Sequence, residues 1–471
     1  MILAIARKEF ADLARDGRFR WAASAIALLL VAATAVGWRG WAEVRAEHEH
    51  AEAEARRQFE GQEEKNPHAA AHYGLYVFKP KATLAFLDPG VDPYTGVSVY
   101  LEAHRRNEAR DRPARDATTL QRFGDLTAAA VLQQLMPLLV IFLAFPAIAG
   151  EREQGTLRQI LSLGVRPADL LAGKALGIAA ALGLTLAPGA LLVGVLLAAR
   201  GDGSGRAWAG ALPLGIGYLA YLGIFLAASL WVSARAGSAR GALVVLLGFW
   251  AVNAMAAPRL ATDLARRAVA TPSSAEFDAA IRRDLRGGLT GHDPADRRLD
   301  RLKRELLAKY RVETVEELPI NFQGVALQAG EDHGNAVFDR HFGDLWGRFG
   351  RQDGIRAALG LAFPALAVRD LSMGLAGTDN RHARHFAEAA EGHRRDLVRA
   401  LNADLAEHGA ELGFQYQAGP DLWRSMPRFR YEPPGAASDL RANELAGLSL
   451  LGWLAGLTVL AGRAARSLRA D

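Results

Sequence analysis

Histidine is the residue type in this sequence with the clearest capacity to bind a metal ion or to move a proton. All twelve histidines lie outside the uncharged apolar stretches described below. His68 and His72 are four residues apart, which would place both rings on one face of a helix, as metal ligands can be. Apolar stretches exclude histidine in any case, so ordinary surface and capping histidines are the favoured interpretation. We therefore assign no metal and no other cofactor, and keep a metal site at His68 and His72 as the alternative.

Residues for other kinds of catalysis are not indicated. The chain of 471 residues has no cysteine, which excludes a disulfide, a thiolate nucleophile and a cysteine metal site. It contains neither G-x-S-x-G, the nucleophile elbow of many hydrolases, nor G-x-x-x-x-G-K-[ST], the loop that cradles ATP. Charge runs such as Arg282-Arg283-Asp284 are typical of solvated helix faces. We therefore predict no catalytic residue.

Apolar residues are segregated along the chain, although the averages of 50% hydrophobic and 23% charged residues resemble those of a soluble protein. A helix needs about 20 apolar residues to cross the hydrocarbon core of a bilayer. Six windows without Asp, Glu, Lys or Arg approach or exceed that length: 21–38, 126–149, 175–199, 207–234, 241–258 and 445–462. This pattern excludes a soluble protein, a disordered chain and a β-barrel, whose spans are about 10 residues long with alternating polarity.

We predict an all-α polytopic membrane protein with six transmembrane helices and two extracytoplasmic regions, the second mainly helical. The predicted order is a membrane-surface helix (1–20), TM1 (21–38), extracytoplasmic region 1 (39–125), TM2 (126–149), a cytoplasmic helix (150–168), TM3 (169–199), TM4 (207–234), TM5 (241–258), extracytoplasmic domain 2 (259–444), TM6 (445–462) and a cytoplasmic tail (463–471). In the first helix, Ile2, Ile5, Phe10 and Leu13 would form the lipid-facing side.

Charge predicts the orientation of these helices. The segments 1–20, 150–174, 235–240 and 463–471 together hold 14 basic and 7 acidic residues, a net charge of +7, whereas the whole chain carries +5. Because basic residues are retained on the cytoplasmic side, both termini are predicted to be cytoplasmic. The basic balance therefore follows from membrane topology and does not indicate nucleic acid. An Arg-rich, Ala- and Gly-rich composition suggests a bacterial inner membrane protein.

The outside regions carry their own signals. Helix formers over Trp41–Glu64 predict that TM1 continues outward as a stalk, ended by Asn66-Pro67. Ser273 and Glu276 form a capping box that opens a helix. Residues 355–377 are apolar but contain three charges and a central proline, so we expect a helix on the outer membrane surface or buried in the domain, and not a seventh span.

The segment between TM2 and TM3 is the most informative one. A charged head around Glu151 and Arg152 leads into a short amphipathic helix that Gly164 and Pro167 end. Lys174 then opens the third span. In one interpretation this is an elbow that merely returns the chain to the membrane.

The same segment resembles the coupling helix of ABC-2 type transporter permeases. The resemblance rests on three features: the motif E-R-x-x-G-T-L at the start of the segment, a glycine and a proline that end its helix, and Gly173-Lys174 before the next span. The N-terminal Arg7-Lys8-Glu9-Phe10 is similar to the membrane-surface helix of that family. The large second outside domain resembles a subfamily of undefined function. The resemblance implies that coupling to the ATPase is carried out by seven residues: Glu151, Arg152, Gly155, Thr156, Leu157, Arg158 and Arg166.

The resemblance implies the permease subunit of an ATP-driven transporter, with export as the expected direction. Its expected partners are a cytoplasmic ABC ATPase, a second permease chain (identical or similar), the lipid bilayer and a periplasmic partner for the outside domains. Two alternatives stay open at this point. The chain could be a membrane-anchored sensor or scaffold, or a metal-handling protein that acts through its outside histidines.

Overall fold

The membrane-crossing part of the chain consists of six long apolar helices. A computed structural model describes residues 1–112, 126–199, 205–288, 291–292 and 297–468. Within these ranges the chain is mainly helical, and six helices are long and apolar enough to cross a membrane, which confirms the predicted fold class. They are α2 (Gly17–Glu60), α5 (Ala128–Glu153), α7 (Pro167–Ala199), α8 (Gly205–Arg235), α9 (Ala239–Ala268) and α17 (Glu444–Arg466).

Helix α8 lies at the centre of this bundle. Tyr221 and Phe225 are fully buried in the apolar core that α8 shares with α5, α17 and neighbouring helices. On the outer helices, by contrast, large apolar side chains such as Leu191, Val244 and Leu448 are exposed. A helix satisfies its own backbone hydrogen bonds, so these exposed apolar faces can lie against hydrocarbon without cost.

The N-terminal helix α1 (Ile2–Arg15) packs closely on α7. Gly173 and Gly177 of α7 make this approach possible, since a Cβ at Gly173 would come within 2.6 Å of the Ile5 side chain. Ile5, Phe10 and Leu13 pack against the core of the bundle. These three side chains are half-buried, so the face predicted to meet lipid is shared with a protein surface, which at Ile5 is provided by Gly173.

The first polar insert, between α2 and α5, starts from an extension of α2. The helix ends at Glu60, and α3 (Pro67–Tyr73) begins with Asn66, whose side chain accepts a hydrogen bond from the His68 backbone N–H at 2.8 Å. The pair Asn66-Pro67 thus starts a helix and does not end one. The remaining elements of the first polar insert are β1 (Leu75–Phe78), α4 (Asp92–Thr95) and β2 (Ser98–Leu101). Strands β1 and β2 are antiparallel, and Leu75 lies opposite Leu101.

The second polar insert, between α9 and α17, is helical as predicted. Ser273 and Glu276 form the expected capping box. Phe386 and Trp423 of this insert share a core with Phe59 and Val77, so the two inserts pack together. The helices of the second insert are α10 (Ser274–Arg286), α11 (Asp300–Tyr310), α12 (Phe322–Leu359), α13 (Pro364–Ala376), α14 (Asn380–His408), α15 (Pro420–Ser425) and α16 (Ala436–Ala442).

Residues 355–377 form the end of α12 and all of α13. With 13 residues, α13 is about 20 Å long, too short to cross a hydrocarbon core of about 30 Å. It is buried against the membrane helices: the hydroxyls of Ser372 and Tyr218 lie 2.8 Å apart, and Leu371 packs on Gly217. A buried helix that is too short to span a membrane agrees with the expectation, but it is buried against a membrane helix and not only within the outer domain.

The start of α14 predicts a pH-dependent contribution to stability. His382 is buried, and its ring lies 2.6 Å from Asp379 and 3.3 Å from Asp439. Burial lowers the pKa of His382, but the hydrogen bonds to the two carboxylates outweigh it and raise that pKa above its usual value. Protonated His382 therefore stabilises the folded state fully below the ordinary histidine pKa of about 6.5. This stabilisation is lost as the pH rises through the raised pKa of His382 in the folded state.

We expect the melting temperature of His382→Asn in detergent to lie below that of the wild type by an amount that is largest near pH 6, where the lost charged contact is worth about 1.5–3 kcal/mol. The difference should shrink steadily towards pH 9. His385→Asn, an exposed position on the same helix, is the matched control and should show no such trend. A His382→Asn difference that stays constant over this pH range would contradict the assignment.

Candidate functional site

The elbow, residues 149–167, joins α5 to α7 and contains every residue to which the sequence assigned coupling. Gly155 has a φ of +76°, a left-handed conformation that glycine adopts without strain, and it turns the chain from α5 into α6 (Thr156–Ser162). Gly164, with a φ of +82°, ends α6, and α7 starts at Pro167. Leu157 is buried and anchors α6 to the bundle.

A buried ion group holds the elbow to two helices. The Lys174 ammonium lies 2.8 Å from Glu151 Oε1 and 2.9 Å from Glu9 Oε2, and its side chain is only 5% exposed. The other carboxylate oxygen of Glu151 accepts a hydrogen bond from the Thr156 hydroxyl. Because Glu9 belongs to α1 and Lys174 to α7, this group connects α1, α5, α6 and α7 at one point.

A second set of bonds holds the elbow to the link between α8 and α9. The Arg152 guanidinium donates to the carbonyl oxygens of Ala234 at 2.8 Å and Ala236 at 2.5 Å, at the C-terminus of α8. Glu153 accepts from the backbone N–H of Ala239 at 3.1 Å, at the start of α9. These charges complement the helix ends, since the C-terminal carbonyls are electronegative and the N-terminal N–H groups electropositive.

The outer face of the elbow consists of exposed side chains. Leu163, directly after α6, is 82% exposed. Arg158 is also exposed, and the exposed Arg166 forms a two-pronged pair with Asp169 at 2.8 and 3.0 Å. The elbow therefore has a fixed inner face and an exposed outer face.

A family model described as ABC-2 family transporter protein matches residues 3–274, more than half of the chain. The chain belongs to this ABC-2 transporter family. A second model, described as a domain of unknown function (DUF3526), matches residues 274–432 within the second polar insert. A search of curated proteins finds no match.

The protein is thus a multi-pass ABC-2 permease, the membrane subunit of an ABC transporter, and the sequence resemblance is confirmed. Membership of the family implies an ABC ATPase as partner subunit.

Two polar residues of this permease were missed by sequence reasoning. Glu9 stands among basic residues in α1 and was interpreted only as part of a surface helix. Ser233 of α8 accepts from the backbone N–H groups of Ile148 and Ala149, both at 3.0 Å, where α5 is interrupted by a turn. The sequence showed only that Glu9 and Lys174 carry opposite charges. Opposite charge alone does not identify the two as partners.

Four histidines of the permease lie next to one another in the structure. His68 and His72 lie on one face of α3, as predicted, next to His104 and His292, so that two polar inserts contribute to one cluster. His68 is buried, and burial lowers its pKa to about 3. Burial opposes ionisation of the neighbouring Glu331, but hydrogen bonding to His104 and the charge of Arg394 lower its pKa to about 2.

Proposed function

We propose that the elbow is the coupling helix of this permease and transmits ATP-driven movement of a cytoplasmic ABC ATPase to the membrane helices. The observation that carries the proposal is the pair of polar connections on its inner face. Lys174 joins it to α1 and α7, and Arg152 joins it to the α8–α9 link. A displacement of the elbow must therefore move these helices together, as a packed element moves with its neighbours.

The coupling residues divide into two roles. Glu151, Arg152, Gly155, Thr156 and Leu157 shape the elbow and fix its inner face. Arg158 and Arg166, together with Leu163, are exposed and form the face that docks on the ATPase. An exposed leucine with flanking guanidinium groups is suited to a cleft that has an apolar floor and acidic walls.

The charge pattern supports one orientation, and the family resemblance supports export as the direction of transport. In the proposed orientation, the basic residues of 1–20, 150–174, 235–240 and 463–471 lie in the cytoplasm of a bacterium with the elbow and both termini, and the inserts lie in the periplasm. The pathway is completed by a second permease chain, identical or similar, and the protein exports its substrate from the cell. The inserts receive substrate or contact a periplasmic partner.

Leu163→Asp tests the docking face. Purified in mild detergent with a tag other than polyhistidine, the wild type should retain a stoichiometric ABC ATPase. Leu163→Asp should retain about tenfold less, because desolvating the introduced carboxylate at an apolar contact costs at least the roughly 1.4 kcal/mol that corresponds to tenfold in affinity. Leu412→Asp, an exposed leucine of the second insert, is the control and should retain the full amount.

Membrane insertion of both variants is checked by their detergent-extracted yield and size-exclusion profile. Equal ATPase retention by Leu163→Asp and the wild type would refute the docking role of this face. A well-folded wild type that retains no ATPase would refute the coupling proposal itself.

A further inference from the structure

We propose that His68, His72, His104 and His292 bind one Zn²⁺ ion between the two polar inserts. Each imidazole offers a nitrogen, and the four nitrogens all lie within 4.8 Å of one another. All six pairs of rings are in contact, with centroid distances from 4.6 Å for His104–His292 to 6.1 Å for His72–His292. Four imidazoles around one point match the ligand number of a structural zinc site, which has no open position.

The spacing of the two inner rings fits a shared ion. His68 Nε2 and His104 Nε2 are 3.1 Å apart. Two nitrogens bound at about 2.0–2.1 Å in a tetrahedral zinc shell are separated by about 3.3 Å. The cluster therefore needs a movement of only a few tenths of an ångström at this pair.

The outer nitrogens of the same rings have partners that fix the tautomers. His68 Nδ1 lies 3.0 Å from the side-chain oxygen of Asn402, whose NH₂ group donates to Gln328 at 3.2 Å. His104 Nδ1 lies 2.9 Å from Glu331 Oε1. Both Nδ1 atoms thus carry the proton, which leaves two Nε2 lone pairs facing each other. Facing lone pairs at this distance repel unless a cation lies between them, and metal-bound histidines are typically oriented by such oxygen partners.

Hydrogen bonds to Glu331 also fix the backbone conformation of His104. His104 has a φ of 61°, an uncommon conformation for a residue with a side chain. Its backbone N–H donates to the same oxygen of Glu331 at 2.5 Å, and Glu331 is in turn fixed by Arg394 at 2.9 Å. A strained backbone kept by a buried carboxylate is typical of functional sites. Glu331 is a positioning residue here, since it acts through His104.

The donor set selects the class of metal. Four neutral imidazoles suit zinc and related transition metals, whereas Mg²⁺ and Ca²⁺ require oxygen ligands. His72 and His292 are exposed, so an ion can enter from solvent. Because three ligands come from the first insert and one from the second, the bound ion joins the inserts and stabilises their contact.

The test uses the full-length protein in detergent, purified without a polyhistidine tag and stripped with a chelator. Titration with ZnCl₂ against a chromophoric chelator should give one Zn²⁺ per chain, and the melting temperature should rise on addition. His72→Ala and His292→Ala, whose side chains are exposed and not needed for folding, should each weaken binding by about 100-fold or more. Glu331→Gln should weaken it by about 10–100-fold, as expected for an orienting partner.

His50→Ala, which removes an exposed histidine that is not part of the cluster, is the matched control and should bind Zn²⁺ as tightly as the wild type. A stripped, folded protein that takes up no Zn²⁺ would overturn the proposal. So would binding that is unaffected by both His72→Ala and His292→Ala, since the ion would then lie elsewhere.

Discussion

Lys174→Met is expected to destabilise the permease by about 3–5 kcal/mol, because it leaves two carboxylates without their buried cation. Glu9 and Glu151 are 13% and 16% exposed at the side chain, so water compensates little of the lost contact. Loss of the group also removes the polar connection of the elbow to α1, so the proposed coupling role predicts that ATPase-dependent transport fails even in molecules that remain folded.

The measurement is thermal unfolding in detergent, followed by tryptophan fluorescence. Lys8→Met is the matched control, since Lys8 pairs with Asp12 on the exposed face of α1 and should contribute no more than about 1 kcal/mol. Adding Glu9→Gln and Glu151→Gln to Lys174→Met should restore much of the stability, as it removes the unpaired charges. Equal melting temperatures for Lys174→Met and Lys8→Met would show that the group is not structural.

Arg394→Met should cause a comparable loss, about 3–5 kcal/mol, in the second insert. The Arg394 side chain is 1% exposed and lies 2.9 Å from Glu331 and 2.8 Å from Glu391, with a further hydrogen bond to Asn335. Two buried carboxylates lose their common partner when it is removed. Because Arg394 also fixes Glu331, zinc binding should weaken in the same variant.

Arg384→Met provides the comparison on the same helix. Arg384 pairs with Glu388 at the surface of α14, and such a pair contributes about 0.3–0.5 kcal/mol. Chemical unfolding and zinc titration of the two variants should therefore differ in both readouts. A small effect of Arg394→Met on stability would mean that the inserts do not depend on this buried network.

Local patterns in the sequence were sufficient for the membrane helices and for the position of the elbow. Each membrane helix is encoded by one contiguous apolar run, so its length can be compared directly with the length needed to cross the hydrocarbon core. The i, i+4 spacing of His68 and His72 likewise predicted a shared helical face. The start of α3 was misinterpreted because proline ends a preceding helix but also favours the first turn of a new one, and an asparagine directly before it is a good cap.

Contacts between distant segments could not be predicted in the same way. Glu9 and Lys174 are 165 residues apart, and no spacing rule connects them. His104 and His292 lie in irregular segments of different inserts, so their approach to α3 depends on how the inserts pack. The packing side of α1 also depends on its partner, because Gly173 and Gly177 leave room for Ile5 and Glu9.

The length of α2 has a mechanical consequence. With 44 residues and no proline, it is about 66 Å long. Near one end Phe19 is buried in the bundle, and near the other Phe59 is buried in the core of the two inserts, with Arg56 donating to Met426 at 2.9 Å. A rod of this length that tilts by about 5° displaces its far end by about 6 Å. A small tilt of α2 at the end that packs in the bundle would thus become a displacement of several ångström at Phe59, in the core that the two inserts share.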